Sequence, residues 1–548
     1  MTSKKKKIIT GSIIGSFIGL GAIGCSSYFI ASSVVKGKQT LEYKNFVNYI
    51  NNNDFNIIQE FTKGADTSSY ADVIENFLFQ KDIKKSDGTW YTYKDIENPD
   101  IKVTDEKTKK LVSLEEYINN NLYSYFDENS NRVYENMFSI LKKKGINSIR
   151  LRLWVNPYDE KGNSYGGGHN DLDTTIFIIK QAKKYGFDDF LLDFQYSDFW
   201  ADPSKNFLPK SWVNLSDNQL LEKAYSYTFD TLNTIFEETG LVINKVQFGN
   251  EIGESMLWKY DDKTEKIVPA TYNFVQKFIR NAIKATNDFN INHKNIKIEK
   301  NIHLEVGDIV KFINNYREVI EQVDSIQISI YLHHGSSLDK LYNQLKYFSN
   351  LYPNKKLYIG EFAMSFDDKT LTNINQAYPY PQWVKDTNSS VDFQFLSTYQ
   401  YIKILSSMFP NLETGFYWWE IGQLYIGKSS WSTLEGLKYY QASKEKQTWK
   451  DFNNWSSFAC FDYNGIALPT LDVIKNFERN QSADSIKLSP LKNFDLGDII
   501  KNQSNDSKYF FENIQVLWPK NETKYNLNDI LYSNDDVPVN ETNIDVNL

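Results

Sequence analysis

A short apolar run, a polar turn and a helix-period segment recur in that order along most of the chain, and this repetition restricts the possible folds more than any other feature. Asn147–Asn156 alternates apolar and polar residues as a strand does. Leu172–Tyr185 reads as a helix that begins among Asp171 and Asp173 and stops at Gly186, and Asn218–Thr239 as another closed by Gly240. Strand-like runs fall at Ile58–Phe61, Asn147–Asn156, Phe190–Phe194, Lys245–Phe248, Ile302–Val306, Ser325–Ile330, Lys356–Ile359 and Gly415–Trp418, eight in all. Strands alternating with helices imply parallel pairing through right-handed crossovers. An open doubly wound sheet would usually place a glycine-rich phosphate turn after its first strand, and none stands there. The expected class is therefore α/β, a (β/α)8 TIM barrel spanning 55–480, with chemistry at the carboxyl ends of its strands. A charged insertion at 70–130 follows strand one, and an Asn/Asp-rich extension of uncertain fold occupies 481–548.

The first 38 residues do not fit that repeat. Lys4, Lys5, Lys6 and Lys7 precede an uncharged stretch from Ile8 to Val35, closed by Lys36 and Lys38. This is the pattern of an export signal, long enough to remain as a membrane anchor. Ala22-Ile23-Gly24-Cys25 also resembles a loose lipoprotein cleavage box, which would make Cys25 a lipidated terminus. Either route puts the chain outside the cytoplasm, attached to the membrane through this segment and a linker at 39–54. Only Cys25 and Cys460 occur, so the fold is expected to do without disulfides. None of the five histidines pairs with a cysteine at zinc-binding spacing. A net charge of −8 argues against a nucleic-acid partner and permits a neutral substrate. Rings make up 15% of the chain and suit flat, partly apolar ligands such as sugars. The chain is expected to act as a monomer and to require no cofactor.

Two acids then stand out by position. Glu251 ends the fourth strand in Gln247-Phe-Gly-Asn-Glu251, and Glu361 ends the seventh in Tyr358-Ile-Gly-Glu361. Across a barrel mouth these strand ends face each other. A retaining glycosidase needs such a pair about 5–5.5 Å apart, one to attack the anomeric carbon and one to act as acid and then base. Asn250 could hydrogen-bond the sugar 2-hydroxyl. Arg150 and Arg152 share a strand face with Trp154, and one of them, inside the mouth, would keep Glu361 ionised. The other would serve in a structural ion pair. Tyr331 could donate to Glu361, and Trp418 could form the floor under the cleaved sugar or belong to the barrel core.

Several motifs in order resemble glycoside hydrolase family 53, the arabinogalactan endo-β-1,4-galactanases of clan A. They are Phe61-Thr-Lys-Gly-Ala-Asp66 with Ser68, Arg150-Leu-Arg-Leu-Trp-Val-Asn-Pro-Tyr-Asp159, Tyr165-Gly-Gly-Gly-His-Asn-Asp-Leu172 and Asp193-Phe-Gln-Tyr-Ser-Asp-Phe-Trp-Ala-Asp-Pro203. Gly249-Asn-Glu251, His303-Leu304, Ser329 with Tyr331, Gly360-Glu361 and Phe416-Tyr-Trp418 continue the series, which covers roughly 56–478. The resemblance implies Glu251 as acid/base, Glu361 as nucleophile and galactan as the polysaccharide substrate. It also implies that Asp66, Asp193, Gln195, Trp200 and His303 bind or support, and that Arg150 rather than Arg152 serves the nucleophile.

Three stretches depart from the family pattern. Gln195 stands where the family has His. Tyr331-Leu-His-His-Gly335 is one residue short and lacks a Trp, and Tyr417-Trp-Trp-Glu-Ile-Gly422 replaces Tyr-Trp-Glu-Pro-Ala-Trp. Bacterial relatives often bind calcium after the nucleophile, and Asp367 and Asp368 are the acids retained there. Two other readings remain open: a clan A enzyme acting on a different β-linked polysaccharide, and a non-catalytic surface protein that binds glycan.

Overall fold

A computed structural model describes residues 61–331 apart from 128, 130, 262, 265, 295 and 306–308, and then 345, 348–349, 351–366, 394, 398, 414–424, 426, 436 and 456–476. Eight parallel strands close into a barrel: β1 (Phe61–Asp66), β2 (Ser148–Leu153), β3 (Phe190–Phe194), β4 (Lys245–Phe248), β5 (Glu299–Glu305), β6 (Ser325–Ser329), β7 (Lys356–Phe362) and β8 (Thr414–Trp418). Each strand pairs with the next, and β1 pairs with both β2 and β8. The first strand continues to Asp66 instead of ending at Phe61, so Asp66 pairs with Arg150 of β2. Residues 58–60, where that strand was expected to start, lie outside the described residues, as do the N-terminal segment with Cys25 and the extension from 481.

The alternation of each strand divides its residues between two environments. Ile149, Leu151 and Leu153 of β2, Leu192 and Phe194 of β3, Val246 and Phe248 of β4, and Ile326 and Ile328 of β6 face outward into one apolar layer beneath the helices. Burying each such side chain stabilises the fold by about 1.5–3 kcal/mol before conformational entropy is charged. The inward set is polar: Arg150, Arg152, Asp193, Gln247, Asn301, His303, Gln327 and Ser329 are all buried. Beside it, at the amino ends of the strands, Ser148 meets the Tyr417 hydroxyl at 3.0 Å, and Glu299 is bonded by Ser325 (2.6 Å) and Lys356 (2.8 Å).

The helices start and stop where their terminal chemistry directs. Asp171 caps Leu172–Lys184 by accepting from the Thr174 amide at 2.8 Å. Ser216 and Gln219 form a capping box at the start of Asp217–Thr239, and Gly240 ends that helix at φ 65°. The stretch after β1 carries the helix Tyr70–Gln80 and two small hairpins, Lys102–Thr104 with Leu111–Ser113 and Ser124–Phe126 with Arg132–Tyr134. It docks on the chain beyond β8, where Tyr123 donates to the Gly422 carbonyl at 2.6 Å and Arg132 to the Asn464 carbonyl at 3.0 Å.

One strand breaks the alternation. Ile328 of β6 pairs with Ile359 of β7, but the next residue, Ser329, pairs with Glu361. The same extra residue appears on the other side, where Ile359 pairs with Phe416 and Phe362 with Trp418. This is a β-bulge at Gly360–Glu361. Both residues therefore face the interior. Gly360 can do so because a Cβ there would lie 2.7 Å from the Gln327 amide oxygen and 2.9 Å from His303 Nε2.

Candidate active site

The polar interior converges on Arg150. Its guanidinium is fully buried and pairs with Asp66 (2.8 Å), Asp193 (3.0 Å) and Glu361 (2.8 Å). Nη2 also donates to Asn250 Oδ1 at 2.9 Å. A guanidinium can serve three carboxylates at once because its donors are fixed in a planar fork. Burial works against its charge, and the three carboxylates overcome that effect and hold it cationic. Asp193 is scaffold: it accepts from Gln247 (2.6 Å) and Gln195 (3.2 Å) besides Arg150, and burial pushes its carboxyl up to about 7 despite that cation.

Glu361 and Glu251 sit in unequal surroundings. Glu361 has Arg150 on Oε1, and the Tyr331 hydroxyl donates to Oε2 at 3.0 Å. Burial raises its carboxyl and Arg150 opposes that rise most strongly. Glu251 follows the sharp turn out of β4 and occupies the left-handed region at φ 47°, ψ 52°, which is uncommon for a side chain of its size. Burial raises its carboxyl, and among the described residues none of the leading influences on it is a cation. The neighbouring charges of Glu361 and then Glu305 push it further upward, against one hydrogen bond with Ser329, so its carboxyl lies well above the usual range. Of the pair, Glu361 ionises first.

Asn250 and His303 belong to the same buried network. Asn250 Oδ1 is met by Arg150, by Gln247 Nε2 (3.1 Å) and by His303 Nδ1 (2.8 Å), while its Nδ2 donates to the Ala201 carbonyl at 2.8 Å. His303 is completely buried, with Nε2 2.8 Å from Ser329 Oγ. Burial, reinforced by Arg150, keeps its ring neutral.

The rim is aromatic, and here the structure corrects the sequence reading. Trp418 is fully buried on the outward face of β8, packed on Phe362 at 5.0 Å between ring centres, with its indole N–H on the Phe458 carbonyl (2.9 Å). It is core rather than sugar floor, because alternation turns Tyr417 inward and Trp418 outward. The next residue, Trp419, meets half-buried Trp200 at 5.9 Å. The Arg152 guanidinium lies under both rings, 4.5 Å from Trp200 and 5.5 Å from Trp419. Arg152 is ion-paired to Asp66 (3.3 Å) and to Glu420, so it supports the platform and acts on Glu361 only through its charge, after Arg150. Gln195 does not line the mouth. It is buried behind it, accepting from the Trp154 indole (2.7 Å) and the Ala201 amide (3.1 Å).

Two acids escaped the sequence reading. Glu420 bonds Ser69 and Arg152; its only signal was its place in the altered Tyr417–Gly422 run. Glu305 ends β5 next to the turn after Glu251, where Gly253 leaves room for its carboxylate, and burial pushes it up to about 7. Asp367, Asp368, His333 and His334 lie outside the described residues, and among the described residues no group of three or more His, Cys, Asp or Glu gathers to hold a metal ion. No helix among them is long and apolar enough to cross a membrane.

Comparison with known proteins gives the same answer from sequence and from structure. The family model for glycosyl hydrolase family 53 matches residues 62–474. An endo-beta-1,4-galactanase of Bacillus subtilis (strain 168) is 28% identical over 375 residues, covering 64% of this chain and 81% of that protein. An arabinogalactan endo-beta-1,4-galactanase of Thermothelomyces thermophilus is 28% identical over 325 residues, covering 58% of this chain and 90% of that one. The solved GH53 catalytic domain of Ignisphaera aggregans superposes with a TM-score of 0.53 at 30% identity, over 64% of this chain and 90% of the other.

Proposed function

The chain belongs to glycosyl hydrolase family 53, and from that premise we propose that it cleaves β-1,4-galactan internally by double displacement, with Glu361 as nucleophile and Glu251 as acid/base. The observation that carries the roles is the asymmetry of the pair: Glu361 holds a cation and a phenol, whereas Glu251 has carboxylates for charged neighbours. Ionised Glu361 attacks the anomeric carbon while protonated Glu251 gives its proton to the leaving glycosidic oxygen. Glu251, now a carboxylate, then takes a proton from water as that water displaces Glu361. Asn250 has one Nδ2 hydrogen on Ala201 and offers the other to the sugar 2-hydroxyl. Trp200 and Trp419 supply the aromatic surface on which a galactose unit stacks.

The substrate reading is supported by the names of the relatives, which are endo-beta-1,4-galactanases. The test is new reducing ends from β-1,4-galactan, as a ladder of oligosaccharides, with the signal lost in Glu361→Gln. Release only from another β-glycan would move the substrate within the clan, and binding without release from any polymer would favour a glycan-binding protein. We further propose that residues 4–38 attach the enzyme to the outer face of the membrane, supported by four lysines before an uncharged stretch from Ile8 to Val35. Recovery in the soluble fraction of cells, unchanged by Cys25→Ala, would refute that attachment.

A further inference from the structure

We propose that His303, held in one tautomer by Ser329, is a positioning residue that fixes the amide orientation of Asn250, so that Asn250 presents an N–H to the sugar 2-hydroxyl. This deepens the glycosidase reading above and rests on it.

The argument begins with three donors around one atom. Arg150 Nη2 at 2.9 Å, Gln247 Nε2 at 3.1 Å and His303 Nδ1 at 2.8 Å surround Asn250 Oδ1. Arg150 has no acceptor to offer. Gln247 has its own amide set by Asp193 Oδ1, which takes an Nε2 hydrogen at 2.6 Å, and by Arg150, which faces its Oε1 at 3.4 Å. His303 alone could present either a hydrogen or a lone pair. A neutral ring carries a single N–H, and which nitrogen bears it is decided by the partner of the other nitrogen. That partner is Ser329 Oγ, 2.8 Å from Nε2. Protonated Glu251 donates to Ser329 Oγ, which leaves the single Ser329 hydrogen for Nε2; the ring proton then resides on Nδ1, and Nδ1–H donates to Asn250 Oδ1. The carbamoyl group is then locked with Nδ2 toward the Ala201 carbonyl at 2.8 Å and its second hydrogen available to a ligand.

The wrong tautomer would set a ring lone pair against Oδ1 at 2.8 Å, and rotating the amide to relieve that would bring Nδ2 against Arg150. The β7 bulge serves the same arrangement. It brings Glu361 level with Ser329, and Gly360 leaves open the space that His303 Nε2 approaches.

The test compares kcat/KM for an aryl β-1,4-galactobioside and for its analogue lacking the 2-hydroxyl on the sugar next to the aryl group, using the full chain. Wild type prefers the hydroxylated substrate. Ser329→Ala and His303→Leu reduce that preference about tenfold, the worth of one hydrogen bond made in the transition state. His303→Asn, whose Nδ2 falls near the former Nδ1, and Ser329→Thr restore most of it. A purely structural role would lower both substrates together, so an unchanged ratio in variants of reduced activity overturns the proposal. If His303→Leu does not accumulate as folded protein, Ser329→Ala, the loss of one oxygen atom, decides the outcome. Wild type that hydrolyses neither compound nor galactan would instead refute the glycosidase reading itself, and this assignment with it.

Discussion

Arg150→Met tests the centre of the site most directly, since the substitution keeps side-chain bulk and removes one charge. At 2.8 Å and an effective dielectric constant of about 20, each of the ion pairs to Asp66 and Glu361 is worth roughly 6 kcal/mol of gross attraction. Desolvation of four buried charged groups and repulsion among three carboxylates offset most of that sum. The relevant comparison is removal of one partner from a buried network, which costs about 3–5 kcal/mol because uncompensated charge remains. The penalty depends on pH with a definite sign. Asp193 is already pushed up to about 7 by burial, and Glu361 is raised. Without Arg150 both rise further, so the folded state binds more protons than the unfolded chain. The stability that this proton binding contributes is fully present below the unfolded carboxylate values near 4 and is lost as pH climbs through the folded ones. Urea unfolding of the variant, followed by tryptophan fluorescence, is thus expected to show a larger loss at about pH 8 than at about pH 5, whereas the deficit in hydrolysis is greatest at acid pH, where Glu361 holds its proton, and shrinks as pH rises. A loss under about 1 kcal/mol, or one equal at both pH values, would refute the account of Arg150 as the counter-charge of the site.

Two further substitutions probe the rim and the acid. Trp418→Leu is expected to lower stability by about 2–4 kcal/mol with KM little changed, whereas Trp200→Ala raises KM severalfold with a smaller loss of stability, and the reverse pattern would restore Trp418 as the sugar floor. Glu305→Gln removes a negative neighbour that raises Glu251. Because Glu251 acts while protonated and activity fades as pH rises through its value, the alkaline limb of kcat/KM should move to lower pH, by a few tenths to about one unit. An unmoved limb would show that Glu305 does not act on the acid.

Much of this was legible in the chain because it depends on strand ends. The carboxyl end of a barrel strand must face the mouth, so Glu251 and Glu361 followed from their places after the fourth and seventh runs, and Tyr331 from its place after the sixth. Arg150 and Arg152 could be assigned to one face by alternation, and their different tasks are set by partners brought from β1 and from beyond β8: Asp66 to both, Glu420 to one. What failed was phase. Trp418 and Trp419 are adjacent identical residues, and a single position decides which enters the core. Glu361 would face outward by strict alternation from Tyr358, and nothing in Tyr358-Ile-Gly-Glu361 beyond its glycine announces the extra residue. Glu305 and Glu420 were hidden for a related reason: an acid near a strand end is common, and its importance comes from the neighbours the fold supplies.

That extra residue limits how the site can be transplanted. A carboxylate placed three residues after an inward side chain, the spacing of Tyr358 and Glu361, would on a regular strand of another eight-stranded barrel point into the helix layer, since one pleat separates inside from outside. A working graft must carry Gly360 and Glu361 together, with a partner strand able to pair Ser329 across the skipped position. Loss has a different outcome: deleting Gly360 would remove the bulge and restore regular alternation, with the carboxylate still inward opposite Ser329. What the bulge secures in this barrel is an inner face that holds both Gly360 and its neighbour Glu361, which no regular strand allows.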